Sequence, residues 1–342
     1  MRRVHLVGTL GQPDVSAGMA LAIERVGQFL TTLPDGEPDL RANWIIPVVE
    51  RMQHQPEVRT LVRPRFHKNP LRAWHGAIYT ARRRHDITPD TLGLPFAQHA
   101  AEALPVLRDL VHASGYSLRL QVDIPGPFDL FMFSFGPLRA KYYDVEVEAA
   151  VQQVELIEAM APGKVVYQLS IPVETYLVAL APGPLRSKIA TKLAQKIADF
   201  IQQTPEGTEW IIHLCVGDPH GKPLIILKDA QPLVELTDAV VDRWPTGWVL
   251  NAVHWPMGDG VHPFRPDPRY FAPVYDLRLP DTVHLSAGLG HLGASLGDQE
   301  LGIYELERAA GQAVGVSTPC GFGRRPAMAE ALLDRLATLA KL

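Results

Sequence analysis

The sequence predicts an α/β fold and, within that class, a (β/α)8 barrel. Short apolar segments alternate with stretches of helical spacing, a pattern typical of βαβ units around a parallel sheet. Eight apolar segments can be counted, and eight is the number of strands in such a barrel. The candidate functional residues follow the ends of these segments, which is where barrels of this class build their active sites.

The predicted elements divide the chain into strand and helix pairs. The strands begin near residues 4, 58, 117, 165, 210, 248, 282 and 314. The helices cover residues 17–33, 41–52, 96–113, 140–160, 184–203, 232–244, 300–310 and 327–339. Residues 33–37 are expected to end the first helix, and residues 63–84 are expected to form a basic, irregular stretch. If the strand near residue 58 is absent, an open α/β sheet becomes the competing architecture.

The composition is that of an ordinary globular protein. Of the 342 residues, 46% are hydrophobic and 20% are charged, which is enough apolar material for a large core. We expect a single catalytic barrel domain over residues 1–342. The net charge of −4 argues against a nucleic-acid partner. The absence of a secretory signal or a run near twenty apolar residues predicts a cytoplasmic protein without a membrane partner. A homo-oligomer is compatible with the sequence.

The most informative stretch is the apolar segment that ends in His213-Leu214-Cys215. In an extended strand, residues i and i+2 point to the same face, so His213 and Cys215 project into one space. Cys320, the only other cysteine, follows another apolar segment. Imidazole and thiolate suit zinc, and three protein ligands with an open fourth position are typical of a catalytic zinc site. Two alternatives stay open: ordinary core packing of these side chains, and a disulfide between Cys215 and Cys320.

Several short segments carry a resemblance to a known family. They are Val7-Gly8-Thr9, Gly36-Glu37, Ile124-Pro125-Gly126-Pro127 with Ser134-Phe135, His213-Leu214-Cys215, and Pro319-Cys320-Gly321. On these segments the sequence resembles, nearly end to end, the catalytic barrel of cobalamin-independent methionine synthase, in the group that includes uroporphyrinogen decarboxylase. It is most similar to a short, single-barrel branch that lacks the N-terminal duplicate domain.

The resemblance implies a concrete chemistry. Zinc held by His213, Cys215 and Cys320 would bind a small-molecule thiol as its thiolate, which attacks the methyl or alkyl group of a donor. The implied enzyme is a zinc-dependent methyltransferase. Glu37 matches a carboxylate that holds the amino group of the thiol substrate in that family, although a solvated loop carboxylate is the alternative. His291 matches a histidine that handles a proton, a task that suits the near-neutral pKa of imidazole.

The sequence departs from the family pattern at two places. Ser170 and Ile171 stand where the family has two acidic residues, so a second amine-binding carboxylate is missing. His254 stands on the strand that supplies a glutamate as the fourth zinc ligand, and it could replace that ligand, act as an acid or base, or be a core histidine. Asp218 and Trp255, near the presumed mouth, are further candidates for substrate binding, with solvation or packing as the alternative.

Three other interpretations were weighed. Residues 288–293 match G-x-G-x-x-G, but a dinucleotide site requires this motif in the first βα turn. A metal-free lyase, similar to the decarboxylases of the same group, would use histidines and arginines on an acidic substrate. A degenerate barrel that binds a small molecule without turnover is the non-catalytic alternative.

Overall fold

The strands fall into one large and two small sheets. The computed structural model describes residues 1–62, 65–66, 74–75, 77–217, 223–264 and 266–342. In chain order the strands are β1 (Thr32–Pro34), β2 (Val58–Val62), β3 (Arg65–Phe66), β4 (Trp74–His75), β5 (Ile78–Ala81), β6 (Arg119–Pro125), β7 (Val165–Ser170), β8 (Glu209–His213), β9 (Val249–Pro256), β10 (His284–Gly288) and β11 (Gly315–Ser317).

A curled, parallel, seven-stranded sheet is the centre of the fold. Its strands lie in the order β1, β6, β7, β8, β9, β10, β11, and each neighbouring pair is parallel. The α/β class and the parallel sheet predicted from the sequence are therefore confirmed. Val4, in the predicted first strand, makes only an isolated parallel bridge to Val316 of β11. The N–H of Val4 also donates to the carbonyl of Phe29, shortly before β1, at 2.9 Å.

The predicted barrel strand near residue 58 is wrong. Residues Val58–Val62 form a strand, but it pairs antiparallel with β5 in a separate two-stranded sheet. After the segment around Val4, the next strand along the chain that joins the large sheet is instead β1. The sequence predicts the end of a helix and a break in that stretch. Three fully buried residues that end in Pro34 are too short to show a strand period, so the sequence pattern could not reveal them.

The helices pack against the strands and against one another. They are α1 (Val15–Val26), α2 (Ile45–Glu50), α3 (Pro89–Leu92), α4 (Phe96–Ser114), α5 (Pro127–Ser134), α6 (Tyr143–Met160), α7 (Pro172–Leu180), α8 (Gly183–Ile201), α9 (Gln231–Val241), α10 (Pro268–Phe271), α11 (Leu296–Ala310) and α12 (Ala329–Lys341). Within the described ranges, none of these helices combines the length and the apolar character that crossing a membrane requires.

The two faces of the sheet differ in polarity. Strand residues next in sequence to the site residues, such as Ile212 and Val253, point to the other face. They are fully buried in the apolar layer between sheet and helices. The opposite, concave face carries buried and half-buried polar side chains that hydrogen-bond to one another. They are His5, Gln121, Asp123, Gln168, Ser170, His213 and His254. A polar interior of this kind is costly unless every group is paired, so it marks the concave face as the region to search for function.

Candidate metal centre

Strand register places the candidate residues in one row. His213 is the last residue of β8, and its register partners are Ser170 of β7 on one side and His254 of β9 on the other. Partners on parallel strands project their side chains to the same face, so the three side chains lie side by side at one level of the concave surface. His213 is 2% exposed and His254 is 0% exposed.

Both cysteines reach this level from the loops that follow their strands. The ligand atoms of His213, Cys215 and Cys320 all lie within 4.8 Å of one another. The two Sγ atoms are 3.9 Å apart, and no disulfide joins the two cysteines. A disulfide needs an S–S distance of about 2.05 Å, so this is a thiol pair. Zn–S bonds of about 2.3 Å in a tetrahedral site separate two sulfurs by about 3.8 Å. The three residues therefore fit a zinc ion.

Charged and polar neighbours favour a thiolate at this site. The contact with the Cys215 thiol holds the pKa of Cys320 well below its usual range, and His213 and the Arg324 guanidinium lower it further. The backbone N–H of Gly217 donates to Cys215 Sγ at 3.2 Å. A thiolate is the form in which cysteine binds metal, so the pair is electrostatically prepared for a cation.

Two histidines on the concave face, His5 and His254, have lowered pKa values. Burial, followed by the nearby His213, lowers the pKa of His254 well below its usual value, and burial lowers the pKa of His5 to about 3. His254 Nδ1 lies 2.7 Å from His213 Nδ1, and His254 Nε2 lies 3.0 Å from the carbonyl oxygen of Thr318. Both ring nitrogens of His254 are thus engaged, and it is not part of the three-residue ligand group.

Glu37 lies beside this group in a strained loop. Its φ of 42° falls in the left-handed region that favours glycine, and its N–H donates to Asp35 Oδ1 at 3.0 Å. Both carboxylate oxygens lie 3.1 Å from the position that a Cβ on Gly8 would take, so the carboxylate needs a glycine there. Burial and the nearby Asp123 raise the pKa of Glu37 well above its usual value, and Cys320 contributes in the same direction.

Asp123 is a candidate site residue that the sequence analysis missed. Its Oδ1 accepts hydrogen bonds from Ser170 Oγ at 2.5 Å and from Gln168 Nε2 at 2.8 Å, and its Oδ2 accepts one from Trp44 Nε1 at 2.9 Å. Burial raises its pKa above the usual value. The signal available in the sequence was an acidic residue near the end of an otherwise apolar strand. Ser170, predicted to bind substrate, here contacts Asp123.

A cleft opens next to these two carboxylates. It lies between the β1–β6 edge of the sheet and the helices α2 and α4. Its polar wall consists of Asp35, Glu37, Arg41, His99, Gln121 and Asp123. The remaining wall is mostly apolar: Pro34, Trp44, Val48, Phe96, Ala100, Ala103, Leu120, Val122 and Pro125. A cleft with an apolar floor and a few convergent polar groups is typical of small-molecule sites.

The other predicted site residues are not brought into the three-residue group. His291 Nδ1 accepts a hydrogen bond from the N–H of Gly293 at 2.9 Å, and burial lowers its pKa. Trp255 is fully buried on the face of β9 opposite His254, where its Nε1 donates to Thr237 Oγ1 of α9 at 2.9 Å. Asp218 lies outside the described residues. The roles assigned to all of these residues stay predictions.

No protein-family model and no curated protein matches the chain. A solved structure of a B12-independent methionine synthase from Shewanella sp., in complex with selenomethionine, matches 99% of this chain and 96% of its own, with a TM-score of 0.59 and 11% identity. The chain is similar to that enzyme in fold. The predicted resemblance is confirmed at the level of the fold.

Two further solved structures are similar at lower scores. A methyltransferase from Methanosarcina mazei matches 99% of this chain and 94% of its own, with a TM-score of 0.49 and 11% identity. A putative vitamin-B12-independent methionine synthase from Listeria monocytogenes matches 68% and 69%, with a TM-score of 0.44 and 17% identity. The fold comparison therefore depends on the Shewanella structure.

Proposed function

We propose that this protein is a zinc-dependent transferase that moves a methyl or other alkyl group to or from the sulfur of a small-molecule thiol. The observation that carries the proposal is the convergence of His213, Cys215 and Cys320 at one end of a parallel sheet, with sulfurs 3.9 Å apart. The similarity in fold to a B12-independent methionine synthase supports the same chemistry.

The three residues supply the metal ligands. His213 offers a ring nitrogen, Cys215 and Cys320 offer sulfurs, and the surroundings of Cys320 favour loss of its proton. Three protein ligands leave a fourth position for the substrate sulfur. Zinc, when bound, keeps that sulfur deprotonated and nucleophilic at neutral pH. Burial of His213 and Cys215 restricts water at the site and so strengthens the attraction between cation and thiolates.

Glu37 and Asp123 make the cleft suitable for a cationic end of the substrate. Each carboxyl has a raised pKa because it is buried, and Glu37 is further affected by Asp123. An ammonium group between them would favour their ionised forms and offset this cost. Ser170 acts here through Asp123, because its hydroxyl donates to the Oδ1 atom and fixes the carboxylate. Asp123 thus offers the second carboxylate that the sequence lacks at Ser170 and Ile171. We infer a thiol that also carries an amino group.

We also propose that the protein is cytoplasmic and that the seven-stranded sheet is part of a closed eight-stranded barrel. The supporting observation is the backbone around Val4. The residues on either side of Val4 hydrogen-bond to Val316 of β11, and the N–H of Val4 itself donates to the carbonyl of Phe29. A first strand in this place would join the two edges of the sheet and complete the polar interior around His5.

The first test is metal content by elemental analysis of protein purified without chelators. We expect about one zinc per chain in the wild type and in the His112→Ala control, because His112 is an exposed histidine of α4. The Cys320→Ser variant should lose the metal. The folding control is thermal unfolding: without metal, the wild type and the variant should have similar Tm values, and zinc should raise only the Tm of the wild type.

The second test is alkyl transfer. Zinc-loaded wild type should alkylate amino thiols from methyl donors, as followed by mass spectrometry of the product, and Cys320→Ser should not. Full metal and full activity in the variant would overturn the proposal. A wild type without metal, even after zinc is added back, would redirect the search to a metal-free lyase or to a small-molecule-binding barrel.

A further inference from the structure

The net charge of −4, which argues against a nucleic-acid partner for the chain as a whole, is the sum of two unlike parts. Residues 58–85 contain eight of the 33 lysines and arginines and none of the 37 aspartates and glutamates. This segment therefore carries a charge of +8, and the remainder of the chain carries −12. We propose that residues 58–85, here called the basic ribbon, are a docking surface for the phosphate backbone of a nucleic acid.

The strands of the basic ribbon form antiparallel pairs that lie outside the seven-stranded sheet. The pair of β2 and β5 is followed by the pair of β3 and β4, so the ribbon has two successive strand pairs. Val58 lies opposite Ala81 in the first pair, and Phe66 lies opposite Trp74 in the second. A two-stranded ribbon is an elongated element, which can lie along a linear polymer.

One face of the ribbon is held against the body of the protein. Val58 and Tyr79 are each 1% exposed and belong to a small hydrophobic cluster that includes Phe131 of α5. Successive residues of a strand point to opposite faces, so Arg59, which follows Val58, points away from this cluster and is exposed. The body therefore supports the ribbon and leaves the charged face of its first strand pair outward.

The arginines of the outward face lie close together in the fold. Arg59 is the register partner of Thr80 on β5, two residues before Arg82. Arg82 Nε donates to the carbonyl of Val58 at 2.9 Å, which fixes the start of the turn that contains Arg83 and Arg84 beside β2. The acidic residues nearest in sequence, at positions 57 and 86, lie just outside the basic ribbon.

These arginines differ from other exposed arginines in their partners. Among the described residues, Arg59, Arg83 and Arg84 are exposed and form no ion pair. A guanidinium is always charged, so three neighbouring positive charges without carboxylates attract an anionic partner. By contrast, four arginines of the body with side chains more than half exposed each pair with a carboxylate: Arg108, Arg269, Arg278 and Arg308.

The composition and placement of the charges favour a nucleic acid over other polyanions. Seven of the eight basic residues are arginines, whose planar guanidinium can bind two phosphate oxygens at once. Arg59 and Arg65 lie on one chain segment of the ribbon and Arg82 on the other, so the charges follow its length. A linear phosphate backbone can contact charges along the length, whereas a flat membrane would contact chiefly the tip.

Fluorescence anisotropy of a labelled 20-nucleotide single-stranded RNA tests the proposal, with DNA of the same sequence as a second probe. For the wild type we expect a Kd of about 1–100 µM for RNA near 0.1 M salt. The triple variant Arg59→Gln, Arg83→Gln and Arg84→Gln removes three phosphate contacts. Each contact contributes about 0.7 to the slope of log K against log salt concentration, so the slope should become shallower by about 2. Affinity at 0.1 M salt should fall by about 100-fold.

The matched control removes the same number of charges from the body, in the triple variant Arg108→Gln, Arg269→Gln and Arg308→Gln. It should bind RNA with the wild-type slope and affinity. Equal losses in the two triple variants, or a wild-type slope near zero, would overturn the proposal. Vesicles of phosphatidylcholine with 20% phosphatidylserine and a polyglutamate peptide are the competing partners. Binding of either one by the wild type without binding of RNA or DNA would assign the ribbon to that partner and reject the nucleic acid.

This inference does not depend on the proposed metal chemistry. Arg59, Arg83 and Arg84 belong neither to the three-residue ligand group nor to the wall of the cleft. The ribbon variant should therefore keep the zinc content, the alkyl transfer and the Tm of the wild type while it loses RNA binding. A wild type that binds RNA through the ribbon but holds no zinc and transfers no alkyl group would contradict the proposed function alone.

Discussion

Glu146 offers a quantitative test of the structure through pH-dependent stability. This residue of α6 is 1% exposed, and its Oε1 has no hydrogen-bond partner among the described residues. Burial raises its pKa from 4.5 to about 8, against a smaller opposing effect of its bond with Ser134. The carboxyl is therefore protonated in the folded protein at neutral pH, whereas it is ionised in the unfolded chain.

The sign and size of the effect follow from linkage. A group whose pKa is raised on folding stabilises the fold fully below its unfolded pKa, and this contribution is lost as pH rises toward its folded pKa. One pH unit across this window is worth about 1.4 kcal/mol. Between pH 4.5 and pH 8, Glu146 therefore removes about 4 kcal/mol from the free energy of unfolding. The Glu146→Gln variant stays neutral and should lack this loss.

Urea unfolding of the wild type and Glu146→Gln at several pH values between 4.5 and 8.5 measures the difference directly. Subtraction removes the contributions of the other buried carboxyls, which the two proteins share. Glu148→Gln is the matched control, because Glu148 lies on the same helix and is exposed. Its stability should follow the wild type at every pH. A constant difference between Glu146→Gln and the wild type across this range would refute the burial of an uncharged Glu146.

Three further predictions concern the site and its surroundings. Gly8→Ala should lower the free energy of unfolding by about 1–3 kcal/mol, because the added methyl group would crowd the Glu37 carboxylate. The cost should be smaller in a Glu37→Ala background, and an undiminished cost there would contradict the contact. Glu37→Gln should raise the KM for thiols that carry an amino group more than for thiols that lack one, and equal changes would argue against an ammonium contact. Trp255→Phe loses a hydrogen bond to Thr237 and leaves a cavity in the buried core. It should cost about 2–4 kcal/mol in urea unfolding, with unchanged zinc content and KM, whereas a raised KM would place Trp255 at the substrate.

Local sequence pattern was sufficient where an element is long or chemically distinctive. The strand β8 is a run of buried residues between polar ends, and its i, i+2 spacing predicted that His213 and Cys215 point to one side. The same logic failed for β1, because its three residues carry no measurable period and the pattern there predicts the end of a helix. The strand near residue 58 was real, but its partner strand β5 could not be identified from its own sequence.

Contacts between strands could not be predicted from the sequence pattern. The row formed by Ser170, His213 and His254 depends on register across three strands, which is set by backbone hydrogen bonds and not by any one segment. For the same reason, Asp123 was overlooked: its significance lies in the bonds it accepts from Ser170 on β7 and from Trp44 at the start of α2. A sequence analysis finds candidate ligands, whereas the structure supplies their neighbours.

The concave face divides into two electrostatically different halves, and Gln168 joins them. Its Oε1 lies 2.9 Å from His5 Nε2, which must donate because an amide oxygen can only accept. Its Nε2 donates to Asp123 Oδ1 at 2.8 Å. The neutral amide thus links the histidines around the thiols to the carboxylates around the cleft, without adding charge to either half. The proposed substrate, a thiol that carries an amino group, would complement both halves, because a soft cation suits the first and an ammonium suits the second.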